Sequence, residues 1–384
     1  MPTPPLRVAV IGTGVIGAMT AWHLAARGAE VLALDAYGPG HDRGASAGES
    51  RIFRTAYKEG ASYIPLLRRS YELWRRLESE ADRALLTLCG GLTLGAPDHP
   101  DLRAVRGSAA EHGLDIEVLD AAQAARRFPQ HRLDDGEIAV LDPRAGVLRP
   151  EPAVQAALAR ARALGARLLP YHRVTGLDER PGGGWRVRAE NPAGEATYDA
   201  DHVVLSPGPW SGSFARLAGL PLRGRRITAA WFAARDVAAH RPDRLPIAIR
   251  RHPEAGFSCF PVLDGTAVKI VPHHLPWPDA EAPEDLPRGA DAGFARAASA
   301  AVARLLPGLV PHPVRIGVYA EAFSADEHAL LGPLPGARDA TLLAGFSGHG
   351  FKLAPVFGEI AASLVTEGKS AYDISFLDPA RFGG

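Results

Sequence analysis

The sequence predicts an α/β chain in two parts: a Rossmann-like domain with a parallel sheet, and a second α+β domain built on an antiparallel sheet. Three observations lead there. Residues Val8 to Asp35 read as strand, glycine turn, helix and strand. Segments near 152–174, 201–210 and 341–367 supply more strands and helices of the same α/β character. The stretches Cys89 to Leu141 and Arg223 to Phe323 instead alternate apolar and polar residues, the mark of half-buried strands.

The first unit has every part of a dinucleotide-binding βαβ motif. Val8-Ala9-Val10-Ile11 is an apolar strand, Gly12-Thr13-Gly14-Val15-Ile16-Gly17 the turn, Ala18 to Arg27 a helix closed by Gly28, and Val31 to Leu34 a strand ending in Asp35-Ala36. Gly12 permits the tight turn, Gly14 lets the backbone approach a pyrophosphate, and Gly17 lets helix and strand pack closely. The helix N-terminus offers unpaired N–H groups to an anion. Asp35 stands where a carboxylate accepts ribose hydroxyls.

Two later segments extend this domain. Pro152 to Leu164 reads as a helix, followed by Gly165 and a strand over Arg167 to Val174, whose end would lie near the nucleotide. Asp201 to Trp210 reads as a buried strand running into a small-residue turn, placing Ser206, Gly208 and Trp210 at the cofactor. Near the C-terminus, Thr341 to Ala344 is a strand and Gly345-Phe346-Ser347-Gly348-His349-Gly350-Phe351-Lys352 a flexible loop. Pro355 to Glu367 is a helix with proline in its first turn, and its positive end points at whatever the loop holds.

Composition narrows the function. The 384 residues exceed one ordinary core. Basic and acidic residues balance at 43 each, which gives no electrostatic case for nucleic acid or an anionic membrane surface and leaves a small-molecule substrate. Cys89 and Cys259 stand far apart, so neither a disulfide framework nor a metal site is suggested. Met1 to Arg7 lacks a secretory core and no apolar run could span a bilayer, so the expectation is a cytoplasmic protein. Only four basic residues are lysines, at 58, 269, 352 and 369. Lys269 sits inside the β-branched run Ala267-Val268-Lys269-Ile270-Val271 and Lys352 ends the glycine-rich loop, which makes both site candidates.

With that fingerprint, the segment Gly44-Ala45-Ser46-Ala47-Gly48-Glu49-Ser50-Arg51-Ile52-Phe53-Arg54, the Lys269 strand and the loop Gly345 to Lys352, the sequence resembles the monomeric sarcosine oxidase family. These are FAD-dependent amine oxidases of the D-amino acid oxidase superfamily, which include N-methyltryptophan and pipecolate oxidases. The resemblance covers nearly the whole chain and implies a glutathione-reductase-type FAD domain formed by 1–86, 148–221 and 325–384, with 87–147 and 222–324 as the substrate domain. It places Ser46, Ser50, Arg51, Val174, Tyr319, Gly345, Phe346, Gly348, His349, Gly350, Phe351 and Lys352 at the cofactor, beside the turn residues, with Gly348 also at the substrate.

By the same resemblance, Arg54 and Lys352 grip the substrate carboxylate, a pairing of fork and point charge that suits it. Arg51 packs against the flavin, with Ser50 matching a family threonine. Lys269 bonds through water near flavin N5 and promotes reaction with oxygen, and His273 orients substrate, while His274 is structural. Departures matter too. Tyr319 replaces the cysteine that carries FAD in the family, so noncovalent FAD is expected. Ala47 replaces a histidine, and Ser258 and Glu321 replace tyrosines. The pocket should be roomier and more anionic, with Glu321 pairing a cationic or donating group of a substrate larger or more polar than sarcosine.

The implied reaction is hydride transfer from the carbon next to nitrogen to flavin N5, giving an imine, then aldehyde or keto acid plus amine, and hydrogen peroxide from O2; the chain is expected to act as a monomer. Two other readings stay open on the residues: a flavin- or NAD-dependent amino acid dehydrogenase that does not use O2, and a noncatalytic flavin-fold binding protein.

Overall fold

The computed structural model describes residues 4–214, 217, 219–279, 283–286 and 291–383; Met1 to Thr3 of the N-terminal segment lie outside it. The strand Arg7–Ile11 sits inside a six-stranded sheet whose order is 330–333, 340–344, 202–205, 7–11, 30–34, 167–169. All neighbours are parallel except the edge strand Leu330–Pro333. A strand buried on both faces shows its period of two in what each side chain touches. Val8 and Val10 join a core with the helices Val15–Ala26, Ile64–Ala81, Pro150–Ala163 and Ala354–Glu367. Ala9 and Ile11 join a core on the other face with Trp185, Val187, Ala189 and Ala200 of a three-stranded antiparallel sheet.

The expected strand from Arg167 to Val174 is two strands. Arg167–Leu169 completes the six-stranded sheet, whereas Arg173–Glu179 opens the three-stranded one. Pro170 has no N–H to donate and Tyr171 has φ of 59°, so the chain leaves one sheet for the other; the His172 N–H then donates to the Asp35 carbonyl at 2.7 Å. This break carries Val174 to the cofactor side. Helix starts also differ from the expectation: the first helix begins at Val15, inside the glycine motif, and the helix expected from Pro152 begins at Pro150.

The second large sheet has eight strands in the order 309–324, 222–234, 267–272, 257–260, 247–251, 91–95, 138–142, 117–120. It is antiparallel apart from one parallel pair, 247–251 with 91–95, where the two separated chain segments meet. Alternation again splits its faces. Phe257, Cys259, Val268 and Ile270 pack with Ala298, Ala301, Val302 and Leu305 of the helix Ala292–Leu305. The intervening Ser258, Phe260, Lys269 and Val271 point the opposite way, and Phe260 packs with Ala145, Val147 and Ile247. A small antiparallel sheet of Arg51–Phe53, Gly146–Leu148 and Leu86–Thr87 pairs Arg51 with Leu148.

The helices Val15–Ala26 and Ala354–Glu367 meet at Gly358, where an added Cβ would lie 2.6 Å from the Met19 carbonyl carbon and 2.7 Å from the Thr20 nitrogen. Both are backbone atoms of a packed helix and cannot yield like a flexible side chain. Gly358→Ala is therefore expected to cost about 1–3 kcal/mol, read as a lower urea midpoint with an unchanged m-value.

Candidate active site

A cavity of about 880 Å³ runs from the glycine turn to the C-terminal loop, at the upper end of the range of ligand pockets. Gly12, Gly14, Val15, Ile16, Gly17, Asp35 and Ala36 line one end, with Ser46, Val174, Ser206, Gly208 and Trp210 around them. Arg51, Glu321, Phe346, Gly348, Gly350 and Phe351 line the other. Thr13, Ser50, Tyr319, Gly345, His349 and Lys352, expected at the cofactor, are not on this wall.

At the turn, Gly12 has φ of 89° and a Cβ there would lie 2.4 Å from the Ser206 carbonyl oxygen. A Cβ on Gly17 would fall 1.9 Å from the Gly12 carbonyl oxygen. Gly14 is different: its Cβ would meet only the Ser46 hydroxyl, at 3.3 Å. Ser46 Oγ accepts the Val15 N–H at 2.9 Å, and Ser206 Oγ donates to the Gly12 carbonyl at 2.7 Å. Asp35 Oδ2 accepts from the Thr13 N–H at 2.6 Å and hydroxyl at 3.0 Å, and Oδ1 from the Tyr37 N–H at 2.9 Å. Burial alone would raise this carboxyl, but His41 and these hydrogen bonds hold it below its ordinary pKa. Thr13 is thus the turn's tie to Asp35. Two of the roughly four acceptor positions of the carboxylate are spent on that tie and a third on Tyr37. The mouth nearby is ringed by Tyr37, His41 and Trp210, with Glu284 accepting from Trp210 Nε1 and, at 3.2 Å, from Arg173. The sequence showed no signal for Glu284.

The loop 45–51 is strapped from both sides. Glu151 accepts the Gly48 N–H at 2.7 Å and the Glu49 N–H at 3.1 Å. Lys269 Nζ donates to the carbonyls of Gly48 at 2.8 Å and Ser50 at 2.7 Å, and lies 4.2 Å from the Phe260 ring centre. Arg51 donates to the carbonyls of Ser50 at 2.8 Å and Ala45 at 2.6 Å. Burial, and then Arg51, push the Lys269 amine well below its ordinary pKa. The expected water-bridged lysine is here bound directly to backbone and stands off the cavity wall. Tyr319 packs against the loop, so that a Cβ on Gly48 would sit 3.1 Å from its Cζ and hydroxyl. Glu49, at φ of 70°, accepts from Trp231 at 2.8 Å and Arg315 at 2.5 Å.

Arg54, Tyr57, Glu59, His349 and Lys352 form one buried cluster. Arg54 Nη2 donates to Glu59 Oε1 at 2.6 Å, and Arg54 and Lys352 lie 5.2 and 5.1 Å from the Tyr57 ring centre. Lys352 is held in place through its carbonyl, which accepts from Ser70 at 2.5 Å and Trp74 at 3.0 Å, while its Nζ donates to the His349 carbonyl at 3.1 Å. Burial and then Arg54 push Lys352 down to about 7. His349 accepts at Nδ1 from the Tyr57 hydroxyl at 2.9 Å and donates from Nε2 to the Glu327 carbonyl at 2.8 Å, and burial lowers it to about 4, so it is a neutral spacer. Glu59, Tyr57 and Glu151 were missed in the sequence. Glu59 lies five residues after Arg54, a spacing with no helical or strand meaning in an irregular segment.

Glu321 Oε1 accepts the Gly348 N–H at 2.9 Å; burial raises its pKa and the nearby Arg51 pulls it back. It is not an isolated acid awaiting a substrate cation. Ser258 meets His273 Nε2 at 2.9 Å, and His273 Nδ1 accepts from Arg251 at 3.2 Å. Since Arg251 only donates, the proton sits on Nε2 and goes to Ser258. Burial and then Arg251 lower His273 to about 3. His274 Nδ1 binds the Gly256 carbonyl at 2.9 Å, away from this chain of contacts. Arg251 reaches His273 on the Ser258 side, and none of these three residues lines the cavity, whose far end carries Glu321.

A family model described as FAD dependent oxidoreductase matches residues 7–364. The chain is 36% identical to a monomeric sarcosine oxidase of Streptomyces avermitilis, over 99% of this chain and 98% of that protein. It is 32% identical to an N-methyl-L-tryptophan oxidase of Salmonella arizonae, over 97% and 98%. Among solved structures it is similar to NikD, described as an unusual amino acid oxidase essential for nikkomycin biosynthesis, with a TM-score of 0.85 and 26% identity over 98% of each chain. A glycine oxidase from Geobacillus kaustophilus shares the fold, with a TM-score of 0.82 at 20% identity.

Glu59 offers a pH test. Burial alone would raise its carboxyl, but Arg54 and Lys352 hold it at about 2 against an ordinary 4.5. A depressed pKa stabilises the fold above the unfolded value, and that contribution disappears as pH falls through the folded one. About 3 kcal/mol is therefore expected to be lost between roughly pH 4.5 and 2. In urea titrations over that range, Glu59→Gln should be less stable at neutral pH and lack this part of the acid slope; an unchanged slope would refute the pairing.

Proposed function

The chain belongs to the FAD dependent oxidoreductase family, and from that premise we propose that it is an oxidase of secondary, N-substituted amino acids. One observation carries the reading. The cavity that begins at the glycine turn ends at Glu321 and Gly348, and the loop supplying Gly348, Gly350 and Phe351 also supplies the buried Lys352 next to Arg54.

The residues present fit FAD. The helix Val15–Ala26 opens onto the cavity through Gly14 and Val15, and Asp35 retains acceptor capacity beside them. At the other end the loop 345–352 leads into the helix Ala354–Glu367, whose N-terminus favours negative charge. When bound, FAD supplies the acceptor for two electrons from the C–H bond next to nitrogen and passes them to O2. The segments 1–86, 148–221 and 325–384 would form the FAD domain and 87–147 with 222–324 the substrate domain, with Arg54 and Lys352 reaching the substrate from the FAD side.

The protein's own residues bind and orient. Arg54 and Lys352 hold the substrate carboxylate, and His273, fixed as a neutral donor to Ser258, positions the far side of the substrate. Arg51 places a cation on the cavity wall, which favours the uncharged form of the substrate amine, the form from which hydride leaves readily. The neutral amine of Lys269, donating both its N–H bonds to the Gly48 and Ser50 carbonyls, keeps its lone pair for a proton, whose uptake negative charge on the bound cofactor would favour. Glu321 fixes the Gly348 backbone at the border of cofactor and substrate. Ser258, small where the family carries tyrosine, leaves room for a substrate larger than sarcosine.

Tyr319 supports noncovalent attachment, because its ring is committed to Gly48 and Gly317 and stands off the cavity wall. Two free cysteines, at 89 and 259, suit a cytoplasmic protein. No helix among the described residues is long and apolar enough to cross a membrane. We take the enzyme to act as a monomer on its amino acid and O2.

Three outcomes are expected. Purified protein is yellow and releases hydrogen peroxide with members of a panel of N-alkyl amino acids. Denaturation followed by filtration sends the colour through the membrane; colour retained on the unfolded chain would show a covalent link. Arg54→Met and Lys352→Met each lower kcat/KM by roughly 30- to 1,000-fold, the cost of removing one partner of a buried charge contact.

A further inference from the structure

We propose that Arg251 and Lys58, arranged around Asp101, form a second anion subsite beyond His273, and that the substrate is an N-substituted amino acid carrying a second carboxylate. This rests on the reading that Arg54 and Lys352 hold the first carboxylate.

Sheet register puts Arg251 on the site face. Ile249 pairs with Ser258, and Ser258 with Val271, so Ile249, Ser258, Val271 and Lys269 share the face turned from the Ala292–Leu305 helix. Arg251, two residues beyond Ile249, lies on that same face, while its neighbour Arg250 goes into the interior with Glu137. Lys269 and Arg251 therefore stand at opposite ends of the row, with Ser258 and His273 between them.

Charge counting shows what is missing. Glu59 is shared by Arg54 and Lys352, one carboxylate for two cations. Asp101 is likewise shared, at 2.7 Å from Arg251 and 3.4 Å from Lys58. Glu321 also faces Lys352 and Glu59 also faces Arg251, but the four cations still outnumber the carboxylates among them, and Arg251, Lys58 and Arg54 all act on His273. Burying a cation without its counter-charge is costly, so this positive excess is a site for an anion. Arg251 Nη1 donates to His273 and its ion pair to Asp101 runs through Nε; among the described residues Nη2 carries no hydrogen bond. A planar guanidinium with a remaining N–H edge, beside a point-charge ammonium, matches a carboxylate. The side chains of Arg251 and Lys58 are 19% and 31% exposed, accessible yet partly desolvated. Burial lowers the Arg251 guanidinium below its ordinary pKa, and Asp101 restores only part of that loss while Arg54 opposes it. This tally opposes the expectation that Glu321 would select a basic substrate, because Glu321 already faces Arg51 and the Gly348 N–H.

The test uses the FAD-loaded enzyme and two probes of matched length, pentanoate and glutarate, titrated by the change they cause in the visible flavin spectrum. Glutarate is expected to bind at least roughly tenfold more tightly, the scale of one charge-assisted contact. N-methyl-L-glutamate should exceed its neutral isostere N-methyl-L-glutamine in kcat/KM by a similar factor. Arg251→Met and, independently, Lys58→Met should collapse both ratios toward one; Lys58 is the more exposed and serves if Arg251→Met fails to fold. Equal binding of the two probes, or ratios unchanged in the folded variants, overturns the second subsite while leaving the amino acid oxidase reading intact. Failure of every carboxylate to perturb the spectrum, with no peroxide from any N-alkyl amino acid, overturns both.

Discussion

The contact on which the site depends is made by one buried amine. Lys269 leaves the eight-stranded sheet and donates to the carbonyls of Gly48 and Ser50, in the loop that follows the first βαβ unit. That loop carries Ser46 to the helix N-terminus and Arg51 to the cavity wall. A carbonyl buried without a donor would cost about 1–3 kcal/mol, so Lys269 both satisfies the loop and sets its distance from the sheet. Glu151 does the same for the loop's N–H groups from the helix Pro150–Ala163. The nucleotide end and the substrate end are thereby held in one frame.

Around that frame the chemistry is governed by desolvation of positive charge. Arg51, Lys269, Lys352 and Arg251 all have their charged forms disfavoured by burial. Such groups gain when an anion arrives, which is the condition for a site that receives carboxylates and develops negative charge in the course of a redox reaction. The neutral histidines fit the same logic. His273 and His349 are kept uncharged by burial and neighbouring cations, so each serves as a directional hydrogen-bonding strut.

Much of the fold was legible because it depends on short-range rules. Gly12 needs positive φ, Gly17 cannot carry a Cβ, and Val8 to Ile11 must be buried on both faces, so the first unit follows from local sequence. The two strands around Tyr171 were less legible, since an apolar run interrupted by Pro-Tyr-His reads as one strand until sheet membership is known. Among site residues, Arg54 and Lys352 came from motif resemblance, whereas Glu59, Glu151, Asp101 and Arg251 had no motif to reveal them. Their partners lie across loops and sheets, with Glu151 about a hundred residues from the loop it holds.

The sequence by itself determined the nucleotide-binding fold and the candidate lysines, because glycine sterics and the rarity of a lysine inside an apolar strand are properties of the chain; the FAD chemistry came with the family resemblance of its motifs. Tertiary structure decided which charges are compensated. Whether an arginine is solvated, paired once or sharing a carboxylate with another cation depends on groups brought together by sheet register and helix docking. Electrostatic energy depends on distance and burial in space, and no order of residues along the chain contains those quantities.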